Sequence, residues 1–187
     1  MKNYKFLCLA CAFFFCLDNM SAQFEFKADL ISLIYHSADL SAEYIVSDKV
    51  SIGSTLGINF GKNINSSLLD DSQSGYRLRL QTKYFFNPKV GADRWYAGLY
   101  AGSKSRTERF TDKQSFSEIE RIESSIPAGF SFGFKYVGEP SFVLDINGGI
   151  GREFNNIHTR NGEVYEPFLD IFGEYDAFFN ILLGYRF

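Results

Sequence analysis

The chain has 187 residues, enough for one domain, with 18% aromatic residues and a formal net charge of −3. That charge excludes a nucleic-acid binder, which needs a basic face. All three cysteines (Cys8, Cys11 and Cys16) fall in the first 22 residues. Disulfides and thiolate metal sites are therefore excluded from the rest.

Residues 1–22 read as a signal peptide. Lys2 and Lys5 form a basic start. Residues 6–17 form an apolar run of twelve, too short for a bilayer helix, which needs about 20 residues. Ser21-Ala22-Gln23 closes the segment, and cleavage is expected after Ala22. A lipoprotein leader fits less well, because Cys8 stands where Leu is wanted before Cys11 and Cys16 follows three Phe. Without Lys2, Lys5 and Asp18 the remaining chain, 23–187, holds 17 basic and 21 acidic residues, a net of about −4. No later segment approaches 18 unbroken apolar residues, so no transmembrane helix is expected.

From residue 23 on, polarity alternates with the period of two that side chains follow in a strand. Strand one is expected over 24–35, with Phe26, Ala28, Leu30 and Ile34 on one face and Lys27 and Asp29 on the other. A tight connection at 36–39 leads to strand two, 40–46, with Leu40, Ala42, Tyr44 and Val46 outward and Ser41 and Glu43 inward. After a short turn at 47–49, strand three covers 50–61. Val50, Ile52, Leu56, Ile58 and Phe60 alternate there with small and polar residues. Inner-face glycines such as Gly53 and Gly57 leave room in a narrow barrel.

The polar stretch 62–75 reads as a loop. Strand four, 76–86, sets Tyr76, Leu78, Leu80, Tyr84 and Phe86 against Arg77, Arg79, Gln81 and Lys83. A turn opened by Asn87-Pro88 precedes strand five, 95–104, which has Tyr96, Gly98, Tyr100 and Gly102 on one side. Residues 105–123 read as a long charged connection. Strand six, 125–137, carries Ile126, Ala128, Phe130, Phe132, Phe134 and Tyr136 outward, with Lys135 inward. Strand seven, 142–154, carries Phe142, Leu144, Ile146 and Ile150 outward, with Asp145 and Glu153 inward. A third long connection spans 155–173. Strand eight, 175–187, alternates an apolar row (Phe179, Ile181, Leu183, Tyr185, Phe187) with a row that holds Asp176, Asn180 and Arg186.

The fold expected is all-β: an eight-stranded antiparallel transmembrane β-barrel with short periplasmic turns and longer outer loops, both termini periplasmic. Aromatic residues then gather into two girdles. Phe26, Tyr44, Phe86, Trp95, Tyr136, Phe142, Tyr185 and Phe187 lie at periplasmic ends, and Phe60, Tyr76, Phe154 and Tyr175 at outer ends. A lipocalin-type barrel keeps its polar residues outside, the reverse of this pattern. A β-sandwich, whose sheets cover each other's apolar faces, is the competing architecture.

The whole of 23–187 resembles small outer-membrane barrel proteins of the Bacteroidota, including the DUF3575 group and OmpA-like or PorT-like barrels. The resemblance rests on the Ser-Ala-Gln leader end, the run Leu40-Ser-Ala-Glu-Tyr-Ile-Val-Ser-Asp-Lys-Val-Ser-Ile-Gly53, and Leu183-Gly-Tyr-Arg-Phe187. It implies that Phe179, Ile181, Leu183, Tyr185 and Phe187 form the assembly signal read by the barrel-assembly machinery. It also weakly implies a role in surface-structure assembly. OmpA-type proteins carry a C-terminal peptidoglycan-binding domain, and none is expected here.

Lumen-facing positions are expected to include Lys27, Asp29, Glu43, Arg77, Arg79, Lys83, Lys104, Lys135, Asp145, Glu153, Asp176 and Arg186, seven basic and five acidic. In so narrow a space isolated charges are too costly, so they should pair and close the lumen. Arg79, in mid-strand, is the foremost candidate for a paired charge.

Catalytic signals are weak. His36 and Ser37 are adjacent and so point to opposite faces, and His158, in the last loop, has no serine beside it. Glu163, Glu166, Asp170 and Glu174 make that loop acidic, but their spacing matches no cation loop and reads as a solvated charge run. Gly148-Gly-Ile-Gly151 lies in a strand rather than before a helix, so it is no phosphate loop, and Asn161-Gly162 signals a turn. No catalytic, metal or cofactor site is expected. Outer-membrane lipid and, transiently, the assembly machinery are the expected partners. Three function classes stay open: a non-enzymatic envelope protein that anchors or displays surface loops, a narrow channel, and a lipid A-modifying enzyme.

Overall fold

Period-two alternation resolves into eight strands that close on themselves. In this computed structural model, residues 23–34, 36–60, 64–65, 69–112, 118–160, 163–164 and 175–187 are described. The strands are β1 (Gln23–Asp29), β2 (Ser37–Ser47), β3 (Val50–Asn59), β4 (Leu69–Phe85), β5 (Arg94–Asp112), β6 (Glu118–Gly138), β7 (Phe142–Arg160) and β8 (Tyr175–Arg186). Each pairs antiparallel with the next. β8 returns to β1 in the register Phe26↔Tyr185 and Ala28↔Leu183, which closes the barrel and leaves no free edge along that seam. Two-residue strands, Ile64–Asn65 and Glu163–Val164, add to β4 and β7.

Four features differ from the sequence reading. Strand one ends at Asp29, not near residue 35. The Asp29 carboxylate accepts from the Ile31 amide (3.1 Å) and its carbonyl accepts from Ser32 Oγ (2.8 Å). This local capping winds Leu30–Ile34 into a helical turn, α1. The connection at 36–39 is correspondingly wrong: β2 already starts at Ser37, and Asp39 is an inward strand residue. The long connections are shorter than expected, because β4 starts at Leu69, β5 reaches Asp112, β6 starts at Glu118 and β7 runs to Arg160. His158 therefore sits on β7, not in a loop. Asn161-Gly162, Glu166, Asp170 and Glu174 lie outside the described residues, as does the leader.

These extensions carry no apolar alternation. On β5 the outward row runs Trp95, Ala97, Leu99, Ala101 and then turns to Ser103 and Ser105. A ladder above that level needs only backbone pairing, and with neither face against an apolar phase the hydrophobic period vanishes. β2 and β3, with 11 and 10 residues, match the ~9–11 residues that cross a bilayer at a tilt of about 45°, and β8, with 12, exceeds it by one. β4 to β7, with 17 to 21, overshoot it at the end opposite the termini.

The outward belt is apolar and exposed, from Leu40, Ile52 and Leu56 round to Phe130, Phe132, Ile150 and Phe179. Aromatic rings edge it: Phe26, Phe86, Trp95, Tyr136 and Phe187 near the termini, and Phe60, Tyr76, Phe154 and Tyr175 at the far side. So large a continuous apolar surface is not one that water tolerates.

Inside, glycines seat the large rings. A Cβ on Gly133 would stand 2.6 Å from Tyr96 Oη, and one on Gly151 2.5 Å from Tyr100 Oη. Overpacking of this kind costs about 1–3 kcal/mol. Gly133→Val should therefore lower the stability of the folded barrel by that amount. Urea titration of the refolded protein, read by gel migration without heating, checks it, and an unchanged midpoint would contradict the seating.

Candidate functional site

The inner rows build the site. In the half nearer the termini, Glu25 and Lys27 (β1), Glu43 (β2), Lys83 (β4), Lys135 (β6), Asp145 (β7) and Arg186 (β8) converge and are nearly or fully buried. Lys27 Nζ donates to Glu25 (3.0 Å), to Asp145 (3.1 Å) and to Glu43. Lys83 Nζ reaches Glu43 (2.8 Å) and Asp145 (2.6 Å). Lys135 Nζ reaches Glu25 (3.0 Å) and Glu43 (2.5 Å). Ser51 Oγ of β3 donates to Glu43, and Tyr96 Oη of β5 to Asp145 at 2.7 Å. All eight strands thus contribute a group.

Arg186 anchors the bottom. It binds Glu25 Oε1 through Nε (2.9 Å) and Nη2 (2.6 Å), and donates to the carbonyls of Val90, Gly91 and Ala92. Those carbonyls belong to the β4–β5 turn, which is drawn across the barrel end. Asp93 shapes the turn by accepting from the Lys89 and Val90 amides, and the Ala92 amide donates to Asp48 O (2.6 Å). Ile45, Phe85, Ala92 and Tyr96 fill the space beneath the ions as a small apolar core. Lys83 lies over the Tyr96 ring and Lys135 over Phe85, at 4.7 and 4.8 Å from the centroids.

The opposite half opens into a chamber of about 680 Å³. Its walls carry two ion groups. Arg77 binds Asp39 Oδ2 (2.9 and 2.6 Å), and Lys104 binds Glu153, with Asp176 at 3.5 Å. Tyr100 Oη also donates to Asp176 (2.8 Å). Asp29 accepts from the Ile31 and Ile181 amides and from Asn180 Nδ2.

Arg79 departs from the expected role. It has no ion pair among the described residues. Its guanidinium lies 3.4 Å from the centroid of the Phe178 ring and donates one long bond to Asn180 Oδ1 (3.3 Å). The glycine opposite, Gly149, leaves space for the Phe178 ring, and that ring takes the position a carboxylate would need.

Sequence reasoning misses Glu25 and Asp39. Both have inward parity. Glu25 sits two residues before Lys27, at the very start of a strand, and Asp39 falls in a stretch that reads as a turn. Added to the five acids expected from the sequence, they bring that set to seven, equal to the seven expected cations.

Ser37 Oγ donates to Ser32 O (3.0 Å), whereas His36 is exposed, so the two form no nucleophile–base pair. Among the described residues no group of three His, Asp or Glu side chains is placed to hold a metal. The row Phe179, Ile181, Leu183, Tyr185, Phe187 lies outward, and the Phe187 amide donates to Phe24 O (2.8 Å).

Among solved structures the chain is similar to a major outer membrane protein of Thermus thermophilus, with a TM-score of 0.58 and 13% identity over 90% of this chain and 100% of that one. Lower TM-scores, 0.48 and 0.38, relate it to CarO of Acinetobacter baumannii (10% identity, 89% and 96% covered) and to Neisserial surface protein A (16% identity, 88% and 92% covered). No family model and no curated protein matches the chain. The likeness establishes the architecture as a closed eight-stranded antiparallel barrel of the outer-membrane type. It lends the DUF3575-like and Bacteroidota resemblance no support of its own.

Removing one member of a buried ion cluster strands the others and costs about 3–5 kcal/mol. Glu43→Gln should therefore destabilise the barrel by about that much, since three lysines lose their shared negative charge and one of its two acceptor oxygens. Arg79→Ala, which loses a cation–π contact of about 0.5–2 kcal/mol, should cost clearly less. Unfolding midpoints of the two variants in urea check the order, and equal losses would contradict it.

Proposed function

We propose that this chain is a non-enzymatic integral outer-membrane protein whose sealed barrel anchors surface-exposed strands and loops. The observation that carries the reading is the buried ion cluster with the β4–β5 turn beneath it. Together they fill the lumen across its whole width. An ion that crossed would have to displace charges that already satisfy one another.

The exposed apolar belt supports the placement in the membrane, since lipid is the phase that such a surface needs. The connections on the side of the termini are short: 48–49, 86–93 and 139–141. The long hairpins leave the other side. By the habit of outer-membrane barrels, this asymmetry supports a reading with both termini in the periplasm and the hairpins outside. Support of surface-structure assembly is a narrower form of the same reading and rests on the sequence resemblance alone. The separation of His36 from Ser37 speaks against a lipid-modifying enzyme.

Two outcomes test the proposal. Purified protein in planar bilayers should give no steady conductance, and stable single-channel openings would promote the channel reading. Deletion of Phe187 removes one exposed ring and one main-chain bond to Phe24. It should leave refolding into detergent nearly intact but cut membrane insertion in cells several-fold. Normal insertion in cells would contradict the assembly role of the C-terminal row.

A further inference from the structure

Among the described residues of the chamber walls, Arg79 is a cation that the ion pairing leaves over. Arg77, Lys104 and Arg106, on the same chamber walls, each have a carboxylate within reach: Asp39, Glu153 and Glu108. Arg79 has none among the described residues and uses one of its five N–H donors on Asn180, at 3.3 Å. Asp29 is already held by two backbone amides and by the Asn180 amide. Asp176, the acid whose charge acts most on Arg79, forms no salt bridge with it and is engaged by Tyr100 Oη (2.8 Å) and Lys104 (3.5 Å).

The Arg79 guanidinium lies over the Phe178 ring, 3.4 Å from its centroid, and 5.5 Å from that of Tyr100. A stacked guanidinium keeps its edge free for an acceptor in its own plane, and a carboxylate fits that fork with two parallel bonds. A second orphan lies on the same walls: Ser125 Oγ is buried and has no partner. The chamber volume, about 680 Å³, is that of a small-molecule site.

We propose that the chamber binds a small molecule bearing a single carboxylate, received by the fork of Arg79. The charge count favours a monoanion. Asp29, Asp39, Glu123 and Glu153 already line the walls, so a second negative charge on the ligand meets repulsion and no spare cation. The inference uses the sealed floor of the proposed function only to make the chamber a cup rather than a passage. Binding is measured without reference to conductance, so the two readings fail separately.

The test is a titration of refolded protein, residues 23–187, uniformly labelled with 15N in detergent micelles. N-acetylglycine is the probe, N-acetylglycinamide the neutral control and inorganic phosphate the dianionic one. One arginine Nε–Hε signal and a set of backbone amide signals should shift saturably with N-acetylglycine and stay in place with the amide. The backbone amides also report in variants that lack the arginine signal: Arg79→Gln should abolish their response. Arg79→Lys, which keeps the charge and loses the fork, should weaken the affinity they report roughly tenfold. Arg109→Gln, on the hairpin and paired with Glu120, should leave it unchanged. Migration without heating verifies that each variant is folded, and Arg79→Lys serves if Arg79→Gln is not. No saturable shift, an equal response in the folded Arg79 variants, equal binding of the neutral amide, or tighter binding of phosphate would each overturn the proposal.

Discussion

Glu43 accepts from three lysines, and no acid among the described residues is shared more widely. Around it Glu25 and Asp145 complete a set of acids that four cations divide between them. Removing these charges from water is expensive, and only their mutual contact offsets it. The arrangement makes each group depend on the rest. It also pins the strands: slipping β4 by one residue would turn Lys83 toward lipid and bring Tyr84 inside. The same cluster that holds the register also occupies the space between the strands.

Consequences run in both directions from that layer. Toward the termini, Arg186 reaches through the barrel end to the carbonyls of the 90–92 turn. A turn that would otherwise hang free is thus tied to the ionic core. Toward the hairpins the inner rows loosen. Serines, asparagines and glycines replace the lysines, the ion pairs become local, and space opens. Arg79 sits at that transition, stacked on Phe178 rather than paired. The barrel is in effect two compartments, one filled and one hollow.

Much of this is legible in the sequence, for a physical reason. Where one face meets an apolar phase and the other a polar lumen, parity assigns every side chain. Glu43, Lys83, Lys135, Asp145 and Arg186 all take an inward direction that way. Parity fails where both rows are alike. On β5, Trp95, Ala97 and Leu99 face out and Tyr96 and Tyr100 face in, and the two rows have nearly equal hydrophobicity. Only the inner glycines, which seat those tyrosines, mark the difference. Parity also fails above the apolar belt, where strand extensions read as loops. Asp29 and Ser32 mislead for a different reason: side-chain bonds to nearby backbone turn the chain into α1 while the hydrophobic pattern still resembles a strand. Which charge pairs with which is a matter of three-dimensional reach, and so the stacked role of Arg79 cannot be read from its position in the strand.

Thiol labelling in the membrane tests the division into a filled and a hollow half most directly. Residues 23–187 contain no cysteine, so single replacements report cleanly. Lys104 lines the chamber with its side chain 39% exposed, whereas Val143 lies beside the ion layer and is fully buried. A membrane-impermeant thiol reagent added from the hairpin side should modify Lys104→Cys rapidly and leave Val143→Cys intact for as long as the barrel stays folded. Comparable labelling rates at the two positions would mean that water and reagent pass the ion layer, and would contradict a sealed lumen.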